Sequence, residues 1–308
     1  MRKLLEIEET KKEKKNVSRL PLTLYKFQKN RRAVLGLFIL LTILVIAVLA
    51  EDPWGRPLLV PYDPYGHLPT SEGLDRRGEL PSGQHLLGLD ELGRDLLSRI
   101  MVGCRISITI GFVSVSIALL TGIIIGSISG YFGGWMDHIL MRMIDIMMAF
   151  PAFLLALLII AILGPTLQNA MVAIGIALIP VYARLTRGQV ISIKENDYIE
   201  AARMVGARDW RIILWHILPN AIAPLIVQST LNFASAILSA AALGYLGLGA
   251  QPPTPEWGVM LNDGRQYLLS GALHLSLFPG IAIMITVLAF NLVGDGIRDA
   301  FDPRMVSK

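Results

Sequence analysis

The stretch Asn196-Asp197-Tyr198-Ile199-Glu200-Ala201-Ala202-Arg203-Met204-Val205-Gly206-Ala207-Arg208-Asp209-Trp210 has residue types whose chemistry is that of helix, turn, helix. Asp197 and Glu200 make a D-x-x-E start whose carboxylates can accept from the free amides of a first helical turn. Ala201 and Ala202 are small, strong helix formers, and Gly206 can end the helix in a left-handed conformation. Asp209 can cap a second helix that runs toward Pro219. The pattern therefore predicts a helical hairpin. Its plain reading is a surface helical hairpin in which Glu200 does nothing beyond capping.

A second pattern follows at Gln228, Asn232, Ser235 and Ser239, which fall at i, i+4, i+7 and i+11 in an otherwise apolar run. That spacing puts four hydrogen-bonding side chains on one helix face, where lipid would leave them unsatisfied. They either bind neighbouring helices or line a water-filled pathway. As a pathway they would suit backbone amides or hydroxyls better than bare ions.

Reaction chemistry finds no footing. The chain has no GxxxxGK[ST] loop and no GxGxxG opening a helix, so neither ATP nor a dinucleotide is expected on it. His67, His85, His138, His216 and His274 are scattered without HExxH or i, i+4 spacing, so no metal site is expected. Gly126–Gly130 reads G-S-I-S-G, with Ile128 where a GxSxG nucleophile would stand. Cys104 stands alone and forms no intrachain disulfide. Arg142 and Asp145, at i and i+3, can pair near one end of an apolar run, and Asp295, Arg298 and Asp299 close another. No carboxylate falls at mid-depth of any run, which disfavours a proton- or sodium-driven carrier.

The elements that must position these residues are membrane helices. Of 308 residues, 53% are apolar and only 17% charged, against about 25% charged in soluble domains. A spanning helix needs about 20 mostly apolar residues. Six such runs are present: Ala33–Ala50, Ile106–Gly130, Ile139–Leu163, Gly164–Ala183, Ile217–Ala250 and Ala272–Val293, the fourth being the weakest. In the second, Ser107, Gly111, Ser114, Ala118, Gly122 and Gly126 share one face, with Gly122–Gly126–Gly130 making two GxxxG steps that admit a neighbouring helix closely.

Lysine and arginine placement sets the expected direction. Residues 1–32 hold eleven basic residues, and with the loop between runs four and five and the C-terminal tail they account for 20 of 28. Both termini are therefore expected in the cytoplasm. The first run is expected to remain as a helix rather than be cleaved, since A-V-L-A at its end departs from A-x-A. The expected organisation is a basic cytoplasmic segment 1–32, a first span 33–50 and an outer Pro/Gly-rich loop 51–104 ending in a short helix near Gly93–Val102. A five-span core 105–293 containing the inner loop 184–216, and a cytoplasmic tail 294–308, complete it. The Lys/Glu-rich stretch Glu6–Lys15 is expected to be solvated beside the membrane.

Glu200-Ala201-Ala202, three residues, Gly206 and then Leu218-Pro219 resembles the EAA-x3-G-x9-I-x-L-P signature of permease subunits of ABC importers, with His216 in the place of Ile. Further blocks are similar to the dipeptide/oligopeptide/nickel branch: Gly88–Asp95 with Ser98-Arg99, Met141-Arg142 with Asp145 and Pro151, Leu243–Gly249, Trp257-Gly258, Asn291–Asp299 and Asp302-Pro303-Arg304. The chain resembles the second, C-type permease of that family from about residue 20 onward. The resemblance implies an all-α permease of six spans, in the cell (inner) membrane, that is not itself an enzyme. It implies that Glu200, Ala201, Ala202 and Gly206 couple to an ATPase, and that Gln228, Asn232, Ser235 and Ser239 face the translocation path. Expected partners are a second homologous permease, two cytoplasmic ATPase subunits carrying ATP and Mg, an extracytoplasmic substrate-binding protein and the bilayer; nucleic acid is not expected. Di- or oligopeptides are the expected cargo, with nickel complexes or oligosaccharides as family alternatives, and a stand-alone secondary transporter as the competing class.

Overall fold

The computed structural model describes residues 19–50, 58–66, 76–269 and 271–301. The stretch Glu6–Lys15, parts of the loop 51–104 and the block Asp302-Pro303-Arg304 lie outside the described residues. Among the described residues eleven α-helices carry nearly everything: α1 Arg19–Lys29, α2 Arg31–Leu49, α3 Leu96–Phe132, α4 Gly134–Met148, α5 Ala152–Leu163, α6 Leu167–Lys194 and α7 Asp197–Met204 come first. After them α8 Asp209–Ile212 continues through a π turn, Ile213–Ile217, into α9 Leu218–Tyr245, followed by α10 Trp257–Gly264 and α11 His274–Phe301. Among the described residues five helices are long and apolar enough to span, or six where α4 and α5, bent by 90° at a short break, are taken as one span. The break falls at Pro151, which has no amide to continue the ladder of α4 and starts α5 instead.

The most extensive contact lies between α3 and α6. It follows from the small-residue stripe. A Cβ at Gly126 would stand 2.6 Å from Thr186 Cβ, and one at Gly130 would stand 3.0 Å from Val190 Cβ. Ser114 Oγ donates across the pair to the Met171 carbonyl at 2.9 Å. Higher up the same helix, a Cβ at Gly111 would meet Phe233 of α9 at 2.8 Å. The helix-packing reading of this stripe is what the structure shows. On the far flank α2 packs against α11, and Asn30 both caps α2 and donates to Asp299 at 3.2 Å.

The fourth spanning helix reaches Lys194, eleven residues beyond the apolar run. Arg187 is compensated there by Asp137 of α4 through two 2.6 Å hydrogen bonds, and Asp137 also accepts from Ser129 Oγ. Arg142 does not pair with Asp145 as its spacing suggests; Asp145 instead bonds Arg184 of α6 at 2.6 Å. The i, i+3 pair lost because a facing helix supplied a cation in better geometry.

At the end opposite the α7–α8 hairpin, the loop before α3 folds around a buried ionic knot. Asp90 bonds Arg94 Nε at 2.6 Å and Arg99 Nε at 3.2 Å. Asp95 caps α3 through Ser98 N and meets His85 Nδ1 at 2.8 Å. The short helix expected near Gly93–Val102 is the first part of α3 itself, because Asp95 caps a continuous helix. Trp257 of α10 closes the knot, donating to the Ile100 carbonyl at 3.1 Å. Glu256 caps α10 by accepting from Gly258 and Val259 amides, and burial pushes its carboxyl up to about 7.

Gly126→Leu is expected to lower the melting temperature of the purified chain, since overpacking such a contact costs about 1–3 kcal/mol. Gly188→Ala, where a Cβ meets nothing within 4 Å, is the matched control. Glu256 gives a pH prediction. Its folded value lies above the ordinary glutamate value of 4.5. Its contribution is thus fully present below about pH 4.5 and lost as pH rises through about 7. Glu256→Gln is expected to flatten the fall in melting temperature between about pH 5 and about pH 8; an unchanged slope contradicts it.

Candidate functional site

The hairpin α7–α8 is built from the inside out. Ile199, Ile212 and Ile217 are fully buried against Val190 of α6 and Tyr131 of α3, with Ala202 and Ala207 partly buried beside them. Gly206 has φ +81°, and the turn closes with two bonds, Gly206 N to the Arg203 carbonyl at 2.9 Å and Ala207 N to the Ala202 carbonyl at 3.1 Å. This is a Schellman end, and the positive φ is why glycine stands there. The expected D-x-x-E capping is not made: Asn196 precedes the helix without a side-chain cap, and Asp197 and Glu200 sit exposed in its first turn. Their charge still favours that end of the helix dipole.

Asp209 does not cap α8 either. Its carboxylate accepts from Tyr131 Oη at 2.5 Å, at the end of α3. Lys194, the last residue of α6, donates to the Tyr131 carbonyl at 2.5 Å and lies over its ring at 5.4 Å; Arg203 of α7 lies over the ring at 5.3 Å. Tyr131 therefore ties both limbs of the hairpin to α3 and α6. Reading residue patterns missed it, although an aromatic residue just ahead of Gly133-Gly134 at the end of a long apolar run was a usable signal.

The other side of the hairpin faces outward. Met204 and Val205 are 84% and 85% exposed, Trp215 is 69% exposed, and Trp210 and Leu214 are exposed as well. Glu200 and Ala201 share this exposure, while Ala202 points inward. Contiguous exposed apolar side chains rimmed by charge mark an interaction surface. The π turn connects the hairpin to α9. Pro219 lacks the amide that an α-helix would need there, and Asn220 Nδ2 donates to the His216 carbonyl at 2.7 Å. His216, where the signature has Ile, is thus a half-buried residue of this turn.

Within α9, Gln228 Nε2 donates to Asn232 Oδ1 at 3.1 Å. Asn232 is 6% exposed, and its Nδ2 makes no hydrogen bond among the described residues. Ser235 is exposed and Ser239 half-buried. Tyr182 of α6 donates to Ser229 Oγ at 3.2 Å, so a tyrosine joins the polar zone from the neighbouring helix. The structure brings Gln228 and Asn232 together and leaves Ser235 open on the same side.

The model for the binding-protein-dependent transport system inner membrane component matches residues 122–307, and that for the N-terminal TM domain of oligopeptide transport permease C matches 18–76. The chain belongs to this family of binding-protein-dependent transport permeases. It is 49% identical to the dipeptide transport system permease protein DppC of Alkalihalophilus pseudofirmus over 92% of this chain and 89% of that one. It is 46% identical to the glutathione transport system permease protein GsiD of Pectobacterium atrosepticum over 88% and 86%. A solved inward-facing MetNI methionine ABC transporter has a chain of similar fold, with TM-score 0.54 at 21% identity, covering 66% of this chain and 97% of that one.

The permease is thus a multi-pass inner-membrane subunit of an ABC importer. It is a transport subunit rather than an enzyme, and ATP hydrolysis lies on separate subunits. The family implies an ATPase and a substrate-binding protein as partners.

Tyr131→Phe removes the bond to Asp209 while keeping the ring. Amide hydrogen exchange across 197–211 is expected to speed up by about 10- to 150-fold, as befits a charge-assisted hydrogen bond worth about 1.5–3 kcal/mol. Unchanged exchange would remove Tyr131 from this role.

Proposed function

We propose that this permease forms half of the translocation path of a peptide importer, working opposite a second, homologous permease as a heterodimer. Both termini and the hairpin lie in the cytoplasm on this reading, as the basic residues favour. The observation that carries the coupling assignment is the hairpin itself. It is a fixed EAA-x3-G element, apolar on its outer surface and locked by Tyr131 to the ends of two spans. Glu200 and Ala201 would meet a groove of one of two ATPase subunits, Gly206 sets the bend, and Ala202 holds the helix to its own core. ATP and Mg belong on those subunits.

Closure of the ATPases would displace the hairpin and, through Tyr131 and Lys194, the inner ends of α3 and α6. The cavity between the permeases would then alternate between its two openings. The polar side of α9 would face that cavity. Asn232 Nδ2, buried without a hydrogen bond among the described residues, and Gln228 offer donor and acceptor groups that suit a peptide bond. Relatives named for dipeptides, di/tripeptides and glutathione support a small peptide as cargo. An extracytoplasmic binding protein would deliver it to the outer surface formed by the loop before α3 and residues 250–271. The segments 1–32, 33–50, 51–104, 105–293 and 294–308 remain the proposed organisation.

Gly206→Pro and Glu200→Lys are expected to uncouple ATP hydrolysis from uptake while the chain still reaches the membrane. Wild-type coupling in both variants refutes the assignment. Cysteines placed at 228, 232, 235 and 239 are expected to react with a water-soluble thiol reagent in the assembled transporter; uniform protection would remove α9 from the path.

A further inference from the structure

Tyr182 of α6 is fully buried where α3, α6 and α9 meet. Its stem is fixed, because a Cβ at Gly122 of α3 would collide with Tyr182 Cβ. Its hydroxyl is held far less firmly. It donates to Ser229 Oγ of α9 at 3.2 Å, whereas hydrogen bonds between two hydroxyl oxygens usually close to about 2.7–2.8 Å. The Ser229 hydroxyl has its own acceptor, the Leu225 carbonyl at 2.8 Å.

Asn232 stands one turn further along α9, beside the same Tyr182 hydroxyl. Its Oδ1 accepts from Gln228 Nε2 at 3.1 Å, while its Nδ2 is buried and makes no hydrogen bond among the described residues. A buried donor left without an acceptor costs free energy. Two donors on facing helices, one loosely held and one unheld, therefore lie together with an acceptor missing between them. The chemistry of that acceptor is constrained. An ammonium group or a metal ion has no lone pair to offer. A carboxylate would be buried without a counter-charge, since α9 carries no charged residue. A neutral carbonyl oxygen, with two lone pairs, fits both donors.

We infer that Tyr182 and Asn232 form a two-donor subsite for one backbone carbonyl of the peptide, in which Tyr182 turns its hydroxyl from Ser229 to the cargo and Asn232 Nδ2 supplies the second bond. This rests on the peptide-importer reading. Both groups are covered in this structure, so the subsite opens when α6 draws back from α9. The two helices are tied to different bodies. Phe233 of α9 stacks on Phe290 of α11 with ring centroids 4.8 Å apart, whereas α6 is joined through Lys194 to Tyr131 and so to the hairpin. Displacement of the hairpin thereby uncovers the subsite. On return, Ser229 takes back the Tyr182 hydroxyl, and the cargo is left with a single donor and released.

The test uses the assembled transporter in nanodiscs, carrying Cys104→Ser and Ser235→Cys in this chain; position 235 is exposed on the same side of α9. Modification by a cationic methanethiosulfonate is followed by the mass of this chain, nucleotide-free and trapped with ATP and vanadate, over a range of alanyl-alanine concentrations. The dipeptide is expected to protect position 235 in at least one of the two states. Tyr182→Phe, which keeps the ring, should raise the half-protecting concentration about fivefold, the scale of one neutral hydrogen bond. Ser229→Ala, which frees the hydroxyl, should lower it, the opposite of what damage to packing would do. The alkene isostere of alanyl-alanine, which lacks the carbonyl, should protect more weakly and equally in wild type and Tyr182→Phe. An unchanged half-protecting concentration in Tyr182→Phe overturns the subsite, and so does an equal shift for the isostere, which would leave Tyr182 a packing role only. Absence of protection in both states overturns it too when the same assembly takes up the dipeptide. If that assembly takes up none, the peptide reading fails and the subsite with it; if position 235 never reacts, the placement of α9 in the path fails in the same way.

Discussion

Everything that this permease does depends on how closely α3 and α6 approach. The stripe Gly122, Gly126 and Gly130 leaves no side chain between the two backbones, and Tyr182, Thr186 and Val190 fill the space. Within a membrane the hydrophobic effect does not drive helices together, so close packing of this kind is what holds them. Once α3 and α6 are fixed, their shared end defines a floor on which the hairpin can sit. It also sets Tyr182 against α9 and turns Arg184 and Arg187 toward α4.

The hairpin is the second consequence. Its buried isoleucines and the Tyr131 contacts make it an extension of two long helices rather than a loop hung between spans. A push on its outer side is then delivered to helix ends, not absorbed by a flexible connection. The π turn at Ile213–Ile217 is the softer joint, and it lies between the hairpin and the polar helix α9. Rigid coupling to α3 and α6 with a locally irregular link to α9 is an arrangement in which one body can tilt while α9 adjusts.

Much of this was legible in the residues alone. The spans, the glycine stripe, the left-handed end at Gly206 and the polar side of α9 all follow from local pattern, because each depends on spacing within one helix. What escaped depended on partners distant in sequence. The fourth span looked short because Arg184, Arg187 and Lys194 look like a loop until Asp145, Asp137 and the Tyr131 carbonyl are set opposite them. Asp209 looked like a helix cap and is instead the acceptor for Tyr131, 78 residues away. The 90° break at Pro151 was visible only as a proline inside an apolar run, whose effect on direction a linear pattern does not give.

The central claim is that the hairpin and the inner end of α6 move as one body. Spin labels at Met204, on the exposed tip of the hairpin, and at Ser192, on an exposed turn of α6, report it directly. Pulsed electron paramagnetic resonance on the assembled transporter, nucleotide-free and then trapped with ATP, gives the distance between them in both states. The account predicts the same narrow distance distribution in each. A shift of several ångströms on ATP binding, or a broad distribution in either state, would contradict it.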